Sequence, residues 1–184
     1  MSENENDLNE DIALDLNINR FPTHIAYTDN KVKPNKYVKI NGQTIYNGKI
    51  SRFNRNILMR NMHDYLVPFL EGNKIEDFPI KVCLTIRTVI NHGDIQRRAD
   101  KKSGGYRIIW NKPDDEYEPT SDLDNIGWIW IKAFNDALKK AGVISDDNFK
   151  FINGYSVDFE EVENLDDRQL NFKLIKGKVD YEAE

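Results

Sequence analysis

The chain carries a single cysteine, Cys83, and so cannot close an intrachain disulfide. Set in the apolar run Val82-Cys83-Leu84, that thiol reads as a small buried hydrophobe, with no recognisable base beside it to make it a nucleophile. Long apolar runs are missing too. None approaches the roughly 18 residues of a membrane helix, so nothing is expected to span a bilayer. The three histidines, His24, His63 and His92, are scattered without metal-ligand spacing and read as structural or surface residues. Neither G-x-x-x-x-G-K-[ST] nor G-x-G-x-x-G occurs, which removes support for nucleotide-driven chemistry and for a nucleotide cofactor. No Lys or Arg precedes Arg20, the opposite of a secretory signal, and a cytoplasmic location is expected.

What is present suffices for one core. With 184 residues, 39% of them hydrophobic, and a mean hydropathy of -0.68, one sizeable domain is expected rather than two. Residues 1–17 are acidic and Asn-rich, with Ile12, Leu14 and Leu16 as apolar anchors, and predict a disordered leader; 18–179 form the body and 180–184 an acidic tail. The net charge of -5 is unevenly spread. Without the six leader carboxylates, 25 acidic residues face 26 basic ones. Between Lys81 and Lys112, eight basic residues face only Asp94 and Asp100, so the body is mildly basic with one concentrated stripe.

Periodicity supplies the elements. Phe21 to Thr28 is strand-forming, and Tyr37 to Ile40, then Asn41-Gly42, then Thr44 to Tyr46 predicts a hairpin on a type I′ turn. From Ser51, a good N-cap, Phe53, Ile57, Leu58, Met62, Tyr65, Leu66 and Phe69 make a helical stripe that Gly72-Asn73 ends. Ile80 to Ile90 reads as a central strand, and about 91–120 as a long basic excursion, a hairpin among its readings. A second helix follows through Ile126, Ile129, Trp130, Ala133, Phe134, Ala137, Leu138 and Ala141, stopped by Gly142. Phe149 to Glu160 and Leu170 to Ile175 predict a closing antiparallel pair. The order implies an α+β (α/β-like) domain, with a single mixed sheet and two main helices.

Asp122-Leu123-Asp124-Asn125 enters the second helix and Asp146-Asp147 follows its exit. Hard carboxylate oxygens of this kind suit Mg²⁺, with Mn²⁺ as a substitute. An N-cap is the plain alternative for the first pair. A helix from Asn125 to Ala141 is about 25 Å long, so the two groups meet only if the following segment doubles back or a second subunit brings its own Asp147.

The pattern Asp122-Leu123-Asp124-Asn125, then Lys132-Ala133-Phe134 and Asp136-Ala137-Leu138, then Gly142 and Asp146-Asp147 before a β-pair, resembles the RusA family of Holliday junction resolvases, best known from phages and prophages. Lys33-Pro34-Asn35, Ser51 and the strand at Ile80 occur in the family's order. The resemblance implies a RusA-like, homodimeric, Mg²⁺-dependent endonuclease that makes paired cuts in four-way DNA junctions, in recombination and repair. Its catalytic carboxylates fall on Asp122, Asp124 and Asp147, with Asp146 a neighbouring metal ligand. Such a metal polarises the scissile phosphate and lowers the pKa of an attacking water. The family's lysine, one turn after the second Asp, is replaced here by Trp128, and Lys132 is the natural substitute after four extra residues. Arg97, Arg98, Lys101, Lys102 and Arg107 are the expected DNA contacts. The alternative is a weakened relative that binds branched DNA or a host protein without cutting.

Overall fold

Strict alternation makes the central strand. Ile80, Val82, Leu84 and Ile86 are buried, whereas Lys81 and Arg87 are exposed, along β4 (Ile80–Thr88). A computed structural model of the chain describes residues 11–29, 35–40, 42–46, 50–88, 95–99, 106–110 and 123–177. In it β4 lies inside a four-stranded mixed sheet, ordered β1-β8-β4-β7. Strand β8 (Gln169–Lys176) runs antiparallel to both β4 and β1 (Ile12–Asn19), and β7 (Ile152–Glu161) runs parallel to β4. The expected pairing of β7 with β8 is therefore corrected. Leu170, Phe172 and Leu174 are fully buried in β8, and a strand this apolar is better covered in the sheet interior than at an edge.

The leader boundary at residue 17 cuts through β1. Its pairing with β8 starts at Ile12↔Ile175 and ends at Asn19↔Gln169, with Leu14, Leu16 and Ile18 alternating with Asp15, Asn17 and Asn19. Acidic composition hid this two-residue period. Residues 1–10 and the tail at 180–184 lie outside the described residues.

The hairpin expected across Asn41-Gly42 is also corrected. Strand β3 (Tyr37–Lys39) pairs with β2 (His24–Ala26), and Gly42–Tyr46 forms a short helix, α1. Ile45 is fully buried there, and a Cβ on Gly42 would come within 3.1 Å of the Asn125 backbone oxygen. Close packing on the second long helix thus overrides local hairpin chemistry.

Helix α2 (Arg52–Leu70) begins as expected, with the Ser51 side chain accepting from the Asn54 N–H at 3.2 Å. It buries Ile57, Leu58, Met62, Leu66 and Leu70 but leaves Phe53 and Phe69 of the expected stripe exposed. Gly72, at φ 82°, takes the left-handed turn after it. Helix α3 (Leu123–Lys140) packs on α2, β4 and β7. Trp130 meets Phe21 edge-on at 5.9 Å, and Phe134 stacks on Phe172 at 3.9 Å. Burying each such ring contributes about 1.5–3 kcal/mol. Gly127 lets α3 close on β7, since a Cβ there would sit 2.4 Å from Val157 Cγ1.

The opposite sheet face is polar. Asn171 donates to both Asp15 and Asn17 across β8 and β1, and Arg87 pairs with Glu160 at 2.6 Å. Cys83 falls on this face and is only half-buried, which corrects its reading as a core hydrophobe. The basic excursion contains an antiparallel hairpin of β5 (Ile95–Ala99) and β6 (Tyr106–Trp110). No helix among the described residues is long and apolar enough to cross a membrane.

Candidate functional site

Helix α3 and the turn beyond its end carry Asp124, Lys132, Asp146 and Asp147, whereas Arg97, Arg98 and Arg107 lie on β5 and β6. Asp122, Lys101 and Lys102 lie outside the described residues, and Asp124 is described as a backbone position in the first turn. Immediately after it, Asn125, Trp128, Ile129 and Lys132 line a cleft of about 380 Å³ whose other wall is Gly42 and Tyr46 of α1. Helical spacing explains the shared wall, because positions three, four and seven apart lie on one face.

The cleft is aromatic and cationic. Trp128 is 54% exposed and Tyr46 47%. Trp128 is held by an edge contact to Tyr155 at 6.2 Å, and the Tyr155 hydroxyl in turn accepts from the buried Asn135 amide at 2.9 Å. Above the Tyr46 ring stand two cations, Arg55 with its guanidinium carbon at 5.3 Å and Lys132 with Nζ at 6.0 Å. Neither pairs with a carboxylate among the described residues, and Arg55 Nε is buried there without a hydrogen-bond partner.

At the other end of α3 the charges are matched. Asp147 Oδ1 lies 2.9 Å from Lys139 Nζ, which is also 3.5 Å from Asp136. The lysine holds the Asp147 carboxyl below its ordinary range, and Asp147 raises the lysine in return. Asp136 approaches His63 Nε2 at 3.2 Å, and Lys140 pairs with Asp64. Burial lowers the His63 pKa and outweighs the upward pull of Asp136. Asp146 is occupied by its own turn: it accepts from the Asp147 backbone N–H at 2.8 Å and from Asn148 at 2.6 Å. Here the plain reading of an acidic turn cap describes the contacts fully.

Asp124 and Lys139 are separated by about 22 Å along the helix axis at 1.5 Å per residue. The chain leaves α3 through 141–151 directly into β7, keeping Asp147 beside Lys139 rather than returning it to Asp124. Among the described residues no three His, Cys, Asp or Glu side chains converge to hold a metal ion. Of the expected Mg²⁺ ligands only Asp146 and Asp147 have described side chains. In the basic hairpin the register sets Arg98 opposite Arg107 and Arg97 opposite Ile108.

Three residues escaped the sequence reading. Tyr46 lines the cleft and Arg55 stands over its ring through tertiary packing, and neither left a local signal. Lys139 had one, the three-residue offset from Asp136 on a helix. Compared with known proteins, the chain matches no family model and no curated protein.

Proposed function

We propose that this protein is a Mg²⁺-dependent, structure-selective DNA endonuclease of the RusA type that acts on four-way junctions as a homodimer. The observation that carries the reading is the cleft that opens one residue after Asp124 and ends at Lys132, with cations that no described carboxylate neutralises. Phosphates seek such groups. Lys132 stands about 12 Å along the axis beyond Asp124, on the face shared with Asn125 and Trp128. In this reading it meets the DNA backbone beside the cleft.

Because Asp147 stays at the far end of α3, the metal-binding set consists of Asp122 and Asp124 of one copy and Asp147 of a second. Two equivalent sites related by a twofold axis would match the two strands cut in a junction. The Arg98 and Arg107 pair of the hairpin adds sequence-independent phosphate affinity that falls steeply with salt.

A binding-only protein is the second reading, supported by the neutralisation of Asp147 by Lys139. Titrating Mg²⁺ into the protein with an end-labelled four-way junction separates the two. Nicked product that appears with metal supports the nuclease. Retained but uncut junction under Mg²⁺ and Mn²⁺ overturns it in favour of binding alone, and no retention overturns both.

A further inference from the structure

We infer that the cleft between α1 and α3 is a nucleotide pocket that takes one unstacked base of DNA at or near a branch point. The inference rests on the reading of the chain as a DNA-binding protein and adds the substrate feature that the cleft selects. Four observations support it. The volume, about 380 Å³, lies at the lower end of small-ligand pockets, which run from about 300 to 1,000 Å³, and suits a single nucleotide unit. Two large aromatic side chains half open to solvent line one cleft, although a folded chain gains by covering them.

The third observation is charge. Arg55 and Lys132 converge on one tyrosine ring, at 5.3 and 6.0 Å, and repel each other without a described carboxylate between them. An anion bound there relieves that repulsion, and a backbone phosphate joined to the stacked base is such an anion. The fourth is preorganisation. Trp128 is braced by Tyr155, itself fixed by the buried Asn135, so its ring is oriented before anything binds. Exposed aromatic rings in a positively charged groove are the recurrent way of gripping a base without reading its sequence. A fully paired duplex cannot fill the cleft, because its bases are stacked on their neighbours. A junction with an unpaired base at its centre can.

The test uses the full chain with EDTA present, so that cutting does not interfere. Fluorescence anisotropy measures binding to a fully paired four-way junction, to the same junction with two unpaired thymines at the branch, and to a short oligothymidylate. Wild-type protein is expected to prefer the junction with unpaired thymines and to bind the oligothymidylate measurably. Tyr46→Leu and Trp128→Leu keep an apolar side chain at a half-exposed position but remove the π face, and each is expected to weaken those two complexes about tenfold. Tyr46→Phe is expected to bind like wild type. Unchanged melting temperature in all three variants keeps the comparison free of folding effects.

Equal affinity of wild type and both Leu variants for the thymine-bearing junction overturns the pocket while leaving the DNA-binding reading intact. Absence of binding to every DNA by the wild-type protein overturns the pocket and the proposed function together.

Discussion

Two clusters on α3 treat charge in opposite ways. At the exit, Lys139 links Asp136 and Asp147, Lys140 meets Asp64, and Asp146 is absorbed by its own turn. At the cleft wall formed by Tyr46, Lys132 and Arg55 stand over one ring and no described carboxylate pairs with them. Both clusters lie on one element whose core-facing side is buried at Trp130 and Phe134. Among the described residues the fold therefore pairs the charges at the exit and leaves Lys132 and Arg55 without a carboxylate partner, and unpaired charge beside exposed aromatic rings is where a ligand has the most to add.

The comparison breaks most sharply if the two ends cooperate across a dimer. Asp124→Asn and Asp147→Asn are each expected to abolish nicking of a four-way junction. Mixing the two inactive proteins under subunit exchange is expected to restore about half of the wild-type activity per mixed dimer, since one of its two sites regains both carboxylates. Mixed dimers as inactive as their parents would place each site within one chain.

A smaller effect is expected in the rigid middle. Gly127→Ala puts a methyl group against Val157 and should cost about 1–3 kcal/mol of unfolding free energy, read from urea titration. A variant as stable as wild type would show that α3 can shift on β7, and that the two ends are not held at a fixed separation.

Lysine substitution then contrasts the clusters directly. Lys139→Met removes a partly exposed ion pair and should lower stability by about 0.2–1 kcal/mol, whereas Lys132→Met should leave stability unchanged. Lys132→Met should instead weaken junction binding and reduce the salt slope by about one. If Lys132→Met destabilises the fold more than Lys139→Met does, the assignment of structural and functional clusters is reversed.

The gentlest perturbation is pH. Below about 6.5 the unfolded chain takes up a proton at its histidines, while His63 in the fold resists it because burial lowers its pKa. Stability that is present above 6.5 is thus lost as pH falls through the folded His63 value. Asp147, also lowered, contributes stability that is lost only further down, starting near the ordinary carboxylate range of about 4. His63→Gln should flatten the upper limb of a plot of stability against pH and spare the lower one; Asp147→Asn should do the reverse. A curve of unchanged shape in His63→Gln would mean that the exit cluster does not sense protons through this residue.

Much of the scaffold was legible because its signals are local. Ser51 and Gly72 bracket α2, Gly142 at φ 73° ends α3, and alternation marks β4. Strand β1 was missed because acidic side chains on its open face outweighed the apolar residues of the other. Thr44 to Tyr46 reads as a strand in the sequence because a dipeptide turn signal at Asn41-Gly42 says nothing of α3 packing above it. For the candidate site, the sequence singled out Lys132 and the carboxylates but not Tyr46 or Arg55, whose neighbours are distant along the chain.

Sequence alone determined the spacing along α3: the rise and period of a helix fix how far Asp124 stands from Lys139 and which residues share a face with Lys132. Tertiary structure decided which of those groups acquire partners. It closed Lys139 on Asp147 and brought Tyr46 and Arg55 to Lys132, because whether a charge is neutralised depends on what other elements carry to within a few ångströms of it, and no local pattern encodes that.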